Sequence, residues 1–162
     1  KEIAMTIKGR SAQMGIELPP FTPPIANYVC ASRCGRLVMS AGNTPRVDGV
    51  LRYTGHLSAD RVDEGYQAAR QCAINALAVL DDLCGGLDNI AHIVKVTGYI
   101  NSEPDFIDQP KVLNGASDLL VELFGEAGRH ARCAVGMATL GGGAACEITI
   151  DVEIKDETLA KI

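Results

Sequence analysis

The sequence predicts a single α+β domain in which one mixed β-sheet carries two helices on one face. Three observations support this. Two long segments, Ser58 to Leu83 and Pro110 to Phe124, repeat apolar residues at helical spacing. Shorter segments alternate in strand fashion, most cleanly from His92 to Asn101. Their order reads β-β-(β)-α-β-α-β-β, a succession that suits a sheet with helices on one side. The 162 residues suffice for one core without staples or metals.

Taken in order, Thr6 to Leu18 is expected to form a short helix capped by Thr6, with Ile7, Met14 and Ile16 as weak anchors that must dock elsewhere. Lys1-Glu2-Ile3-Ala4 precede Met5, the candidate native start. Pro19-Pro20-Phe21-Thr22-Pro23-Pro24 forces an extended arm, so residues 1–25 read as helix and arm and 26–155 as core. Tyr28 to Ser32 and Arg36 to Ser40 read as strands joined at hairpin length. Ala41-Gly42-Asn43-Thr44-Pro45 breaks the second, Val47 to Val50 reads as a turn, and Tyr53 to His56 as a short strand. The first long helix has Ser58 or Asp60 as cap, an Ala-rich seam and a stop at Gly85-Gly86. In the strand from His92 to Asn101, Ile93, Lys95, Thr97 and Tyr99 share one face, and Val94, Val96, Gly98 and Ile100 the other. The second long helix has Pro110 in its first turn and Gly125 at its stop. Ala131 to Ala138 and Cys146 to Lys155 are the last strands.

Composition excludes several classes. Fifteen basic against twenty acidic residues give a net charge of −5, and only Arg129-His130-Ala131-Arg132 approaches a basic stripe. There is no Trp and aromatic content is 4%, which removes most base-stacking platforms; nucleic acid is not the expected partner. No apolar run is long enough to span a bilayer, and no signal-peptide pattern opens the chain. The six cysteines form no C-x-x-C pair, and His56, His92 and His130 lie far apart. Neither a disulfide framework nor a zinc site is expected; buried thiols in a reducing cytoplasm are. G-x-S-x-G, H-E-x-x-H and G-x-G-x-x-G are absent, and Gly141-Gly142-Gly143 lacks the Lys-Ser/Thr of a phosphate loop.

The chemistry concentrates in the last two strands. Arg132, Ala134, Gly136 and Ala138 share one face of the first, and Cys133 points to the other, apolar face. In the second, Cys146, Ile148, Ile150, Val152 and Ile154 read as core, with Glu147, Thr149, Asp151 and Glu153 opposite. The short connection implies antiparallel pairing, which would set Arg132 and Glu147 opposite or diagonal on one face. An Arg above small residues can present its planar fork to a carboxylate, and a nearby Glu can activate a water. A plain cross-strand ion pair is the other reading.

Asn27-Tyr28-Val29, Ala41-Gly42-Asn43-Thr44-Pro45, His130-Ala131-Arg132-Cys133-Ala134-Val135 and Cys146-Glu147-Ile148 together resemble the RidA/YjgF family of reactive enamine/imine deaminases, long labelled L-PSP endoribonucleases. The likeness runs from about Ala26 to Ile154 and includes the spacing of fifteen from Arg132 to Glu147. The N-terminal helix and arm resemble a longer subgroup. The resemblance implies a chorismate-mutase-like fold assembled as a homotrimer, with the sheets in a central barrel and clefts between subunits. By position, Arg132 would bind a substrate carboxylate and Glu147 would orient the attacking water. Tyr28, Gly42, Asn114 and Ala134 would line the cleft. The implied reaction is hydrolysis of 2-aminoacrylate-type enamines and imines to 2-keto acids and ammonia, in the cytoplasm, without cofactor or metal. The alternative is a trimeric, non-catalytic binder of small 2-keto or other carboxylates.

Overall fold

The structure, a computed structural model, describes residues 5–162; the candidate upstream residues Lys1–Ala4 lie outside them. The helices are α1 (Ile7–Gln13), α2 (Val62–Leu83) and α3 (Gln109–Phe124). The strands are β1 (Ala31–Cys34), β2 (Leu37–Ser40), β3 (Arg46–Val47), β4 (Val50–Leu51), β5 (Ile90–Asn101), β6 (Ala131–Met137) and β7 (Cys146–Ile154). Five of them form one sheet in the order β1-β2-β7-β5-β6, and β3 pairs only with β4. Every pairing is antiparallel except β5 with β6, so the sheet is mixed as predicted.

The periodicities explain the layers. The apolar stripe of α2, from Ala69 through Ala76 to Leu80, and that of α3, from Leu113 to Leu123, are buried against Val96, Ile148 and Ile150 of the sheet. Each fully buried Leu contributes about 1.5–3 kcal/mol. The two helices touch backbone to backbone at Gly115, where a Cβ would run into the carbonyl of Tyr66. The other sheet face, bearing Thr97, Tyr99, Glu147, Thr149 and Asp151, is covered by no helix among the described residues, and its side chains are half-buried.

Several expectations are revised. The first helix ends at Gln13 because Gly15 turns the chain at φ +67°; Thr6 does cap it, its hydroxyl accepting from Gly9 N–H. The helix docks through Ile7 N–H on Asp88 and Arg10 on the Leu123 carbonyl, at 2.8 and 3.0 Å. The first strand begins at Ala31, and 53–56 contributes only a bridge from Thr54 to Ala144. Val47 and Val50 flank the Asp48-Gly49 turn of a small hairpin. Irregularities at 90–92 and 93–95 shift the register of β5 against β7, so Ile93 joins Val96, Gly98 and Ile100 on the buried face rather than Lys95 and Thr97.

The most consequential revision concerns β6 and β7, which do not pair with each other. β5 lies between them, parallel to β6 and antiparallel to β7. The 138–145 connection passes around the end of β5, where Ser102 N–H donates to the Met137 carbonyl at 3.2 Å and Asn101 N–H to that of Ala145 at 3.0 Å. The parity within each strand is as expected; the relation between the strands is not.

Candidate functional site

Residues paired across neighbouring strands point to the same side of a sheet. Val96 aligns with both Arg132 and Ile150, and Tyr99 with both Val135 and Glu147. Val96 and Ile150 face the helices, so Arg132 does too, and Glu147 lies on the opposite, open face. The chain therefore presents two separate half-sites, and the expectation that Arg132 and Glu147 share a face is overturned. Cys133 likewise lies on the open side and is exposed, not turned into the core.

The first half-site is built where β6, the edge strand, meets the start of α3. Arg132 donates from Nη1 to Ser117 Oγ at 3.1 Å and from Nη2 to the Pro110 carbonyl at 3.3 Å. Asn114 lies between these two acceptors, four residues after Pro110 and three before Ser117, hence on the same helical stripe. Ala134 follows two places along β6 on the same side. Among the described residues no carboxylate comes within ion-pairing distance of Arg132. The guanidinium is thus held by neutral oxygens, with its charge uncompensated and its remaining donors directed elsewhere. The 129–132 run forms no basic stripe: Arg129 pairs with Glu126 at 2.9 Å, and His130 is half-buried.

His130 completes this region. Its Nε2 lies 2.9 Å from Ser117 Oγ and its Nδ1 2.6 Å from the Gly128 carbonyl. Burial pushes its pKa below the ordinary value of 6.5, and the Arg132 and His92 charges push the same way, against the Gly128 hydrogen bond.

The second half-site lies at a break in the sheet. From Met39 opposite Asp151 to Asn43 opposite Ile148, one extra residue enters the β2 side of the ladder. The Ile150 N–H in this break donates to Ser40 Oγ at 2.9 Å. Gly42 follows, and a Cβ there would collide with the Glu147 carboxylate. Only glycine lets that side chain lie over the backbone, and among the described residues Glu147 forms no ion pair. Beside it a cleft of about 440 Å³ is lined by Phe21 and Ile25 of the arm, Tyr28, Ala41, Gly42 and Asn75. The structure thus groups Tyr28 with Gly42 in the cleft, whose lining does not include Glu147, sets Glu147 against Gly42, and groups Asn114 and Ala134 with Arg132. No group of three or more His, Cys, Asp or Glu among the described residues is placed to hold a metal, and no helix there is long and apolar enough to cross a membrane.

The model of the YjgF/chorismate-mutase-like proteins, a family that also carries the endoribonuclease label, matches residues 8–153. The chain belongs to this family. The relatives of this YjgF-family chain include Protein TCP17 of Trypanosoma cruzi, 42% identical over 146 residues, which span 89% of this chain and 91% of that protein. A structure from Shewanella oneidensis that carries the endoribonuclease label superposes with a TM-score of 0.88 at 39% identity, over 92% of this chain and 99% of that one. Atu1372 of Agrobacterium tumefaciens, described as of unknown function, reaches 0.81 at 41% identity, over 93% and 94%. The α+β, chorismate-mutase-like fold is that of the YjgF family. Within it, sequence reasoning missed Ser117 as a partner of Arg132. The available signal was its place one turn beyond Asn114.

Proposed function

We infer that this protein is a cofactor-free deaminase of 2-enamine and 2-imine carboxylates of the 2-aminoacrylate type, yielding 2-keto acids and ammonia. The observation that carries the reading is the pair of uncompensated charges, Arg132 on neutral acceptors and Glu147 against Gly42, on opposite faces of one sheet. Two faces of one protomer cannot close on one small substrate; two copies can, each lending one face. The reading therefore includes assembly as a homotrimer with sites in the clefts between subunits. Escherichia coli TdcF, which shares the fold at 22% identity and a TM-score of 0.59 over 86% of this chain, has been solved with bound serine, a small molecule with a carboxylate.

The chemistry follows from the two groups. Arg132 clamps the carboxylate and fixes the imine carbon. Glu147 of a neighbouring copy takes a proton from water as the water oxygen bonds to that carbon and the C=N electron pair goes to nitrogen, to which Glu147 passes that proton. The carbinolamine then collapses. Glu147 takes the proton of the carbinolamine hydroxyl, which becomes the carbonyl, and delivers it to the nitrogen as the C–N bond breaks and ammonia leaves. The substrate is reactive in water already, so the acceleration asked of the site is modest.

A second reading, a trimeric binder of small 2-keto acids, is favoured by the fact that the Arg132 half-site is complete without Glu147. The net charge of −5 and the Arg129–Glu126 pair speak against an RNA partner. The deciding assay is keto-acid release from 2-aminoacrylate generated in situ. Acceleration lost in Arg132→Ala and in Glu147→Gln, with assembly intact, supports the deaminase. Saturable pyruvate binding that needs Arg132, without acceleration, supports the binder.

A further inference from the structure

The Arg132 guanidinium is the end of a chain of hydrogen bonds whose direction can be read. The Gly128 carbonyl only accepts, so the His130 nitrogen 2.6 Å from it, Nδ1, carries a proton. In a neutral ring Nε2 is then an acceptor, and the group 2.9 Å from it is the Ser117 hydroxyl. Ser117 therefore turns its proton toward His130 and its lone pairs toward Arg132, whose Nη1 donates to it at 3.1 Å. Arg132 is always a donor, so donors and acceptors match along the whole chain, from Arg132 through Ser117 and His130 to the Gly128 carbonyl. The links come from three elements, β6, α3 and the short turn before β6, and neither Ser117 nor His130 needs to touch a substrate.

The geometry points to Ser117 and His130 as positioning residues for Arg132: neutral His130 takes the Ser117 proton, which makes the Ser117 oxygen an acceptor that, with the Pro110 carbonyl, fixes the plane of the guanidinium and leaves its outer donors for a carboxylate. This deepens the deaminase reading and rests on it for the carboxylate; the bonds themselves do not depend on it. The charged or titratable groups facing His130 are Arg132 on β6 and His92 on β5, both of which oppose an imidazolium, as does burial. When the ring does protonate, Nε2 becomes a donor, Ser117 loses its acceptor, and a second positive charge stands behind Arg132.

The test reads KM and kcat for 2-aminoacrylate in Ser117→Ala, His130→Ala and His130→Gln between about pH 5 and 8. A carboxylate clamp acts on ground and transition states alike. Ser117→Ala and His130→Ala are therefore expected to raise KM roughly tenfold, with kcat within about twofold. The Gln amide oxygen can accept from Ser117 and does not titrate, so His130→Gln recovers most of the lost affinity. It also abolishes the rise in KM that wild type shows below the His130 pKa. Unchanged KM in both Ala variants, or a loss confined to kcat, overturns the proposal. If wild type does not accelerate hydrolysis, the deaminase reading falls, and the same variants are compared by their Kd for pyruvate. Nitrogen NMR of the imidazole decides the chain without either readout: an Nδ1–H ring whose pKa rises in Arg132→Gln supports it, and an Nε2–H ring overturns it.

Discussion

At Gly42 the absent side chain makes room for a present one, because the Glu147 carboxylate occupies the place of a Cβ. Gly42→Ala is expected to displace Glu147 and to lower deaminase kcat by about tenfold or more, with the thermal midpoint little changed, since the clash is with a side-chain end rather than backbone. His130 supplies a second outcome at this scale. Its folded pKa lies below 6.5, so the folded protein binds fewer protons there than the unfolded chain. The contribution of the neutral ring is therefore present above about pH 6.5 and is lost as pH falls through the folded pKa. Urea unfolding of wild type and His130→Gln checks this: the difference between them narrows or reverses on acidification. The sequence singles out Arg132 and Glu147, but by a hairpin argument that puts them on one face, where they are not. Ser117 shares the helical stripe of Asn114, but that place does not name Arg132 as its partner until the strand it meets is known.

At the scale of elements, the sequence carried what is local and missed what is relational. Periodicity found α3 to within a residue and the end of α2, although 59–61 is a separate 3-10 turn and α2 itself begins at Val62; alternation grouped the residues within β6 and β7 correctly but put the Cys133 face of β6 in the core, where it is open and exposed. Which strands would be neighbours was misread, because eight residues between β6 and β7 can close a hairpin or step over one strand equally well. The parallel β5–β6 pair needed only a helical connection, which α3 provides. The irregularities in β5 escaped notice for a similar reason: an extra residue is a property of a pair of strands. The helix–helix contact has its own check. Gly115→Ala places a methyl group against the Tyr66 carbonyl, which neither backbone can yield cheaply, and about 1–3 kcal/mol of stability should be lost. Equilibrium denaturation measures it, and an unchanged midpoint would show that the α2–α3 crossing is looser than described.

For the whole molecule, the open face of the sheet sets the expectations. It exposes Met39 and Val135 around the Glu147 row, as a surface made to meet copies of itself would. Light scattering is expected to give about three times the 17.1 kDa of one chain. Mixing Arg132→Ala with Glu147→Gln subunits before assembly should restore about a quarter of wild-type activity, since random pairing then supplies both intact groups at that fraction of interfaces. No recovery would mean that both groups act from one chain. The strand order has a further consequence, for synthesis on the ribosome. β7 is made last yet sits between β2 and β5. Until it emerges, the N-terminal hairpin and the β5–α3–β6 unit each keep a bare strand edge, and a nascent chain stopped before Cys146 holds two half-sheets with nothing to join them. Release of the final residues is what makes the domain cooperative, so loss of the last strand should leave chains prone to aggregation rather than a smaller folded protein.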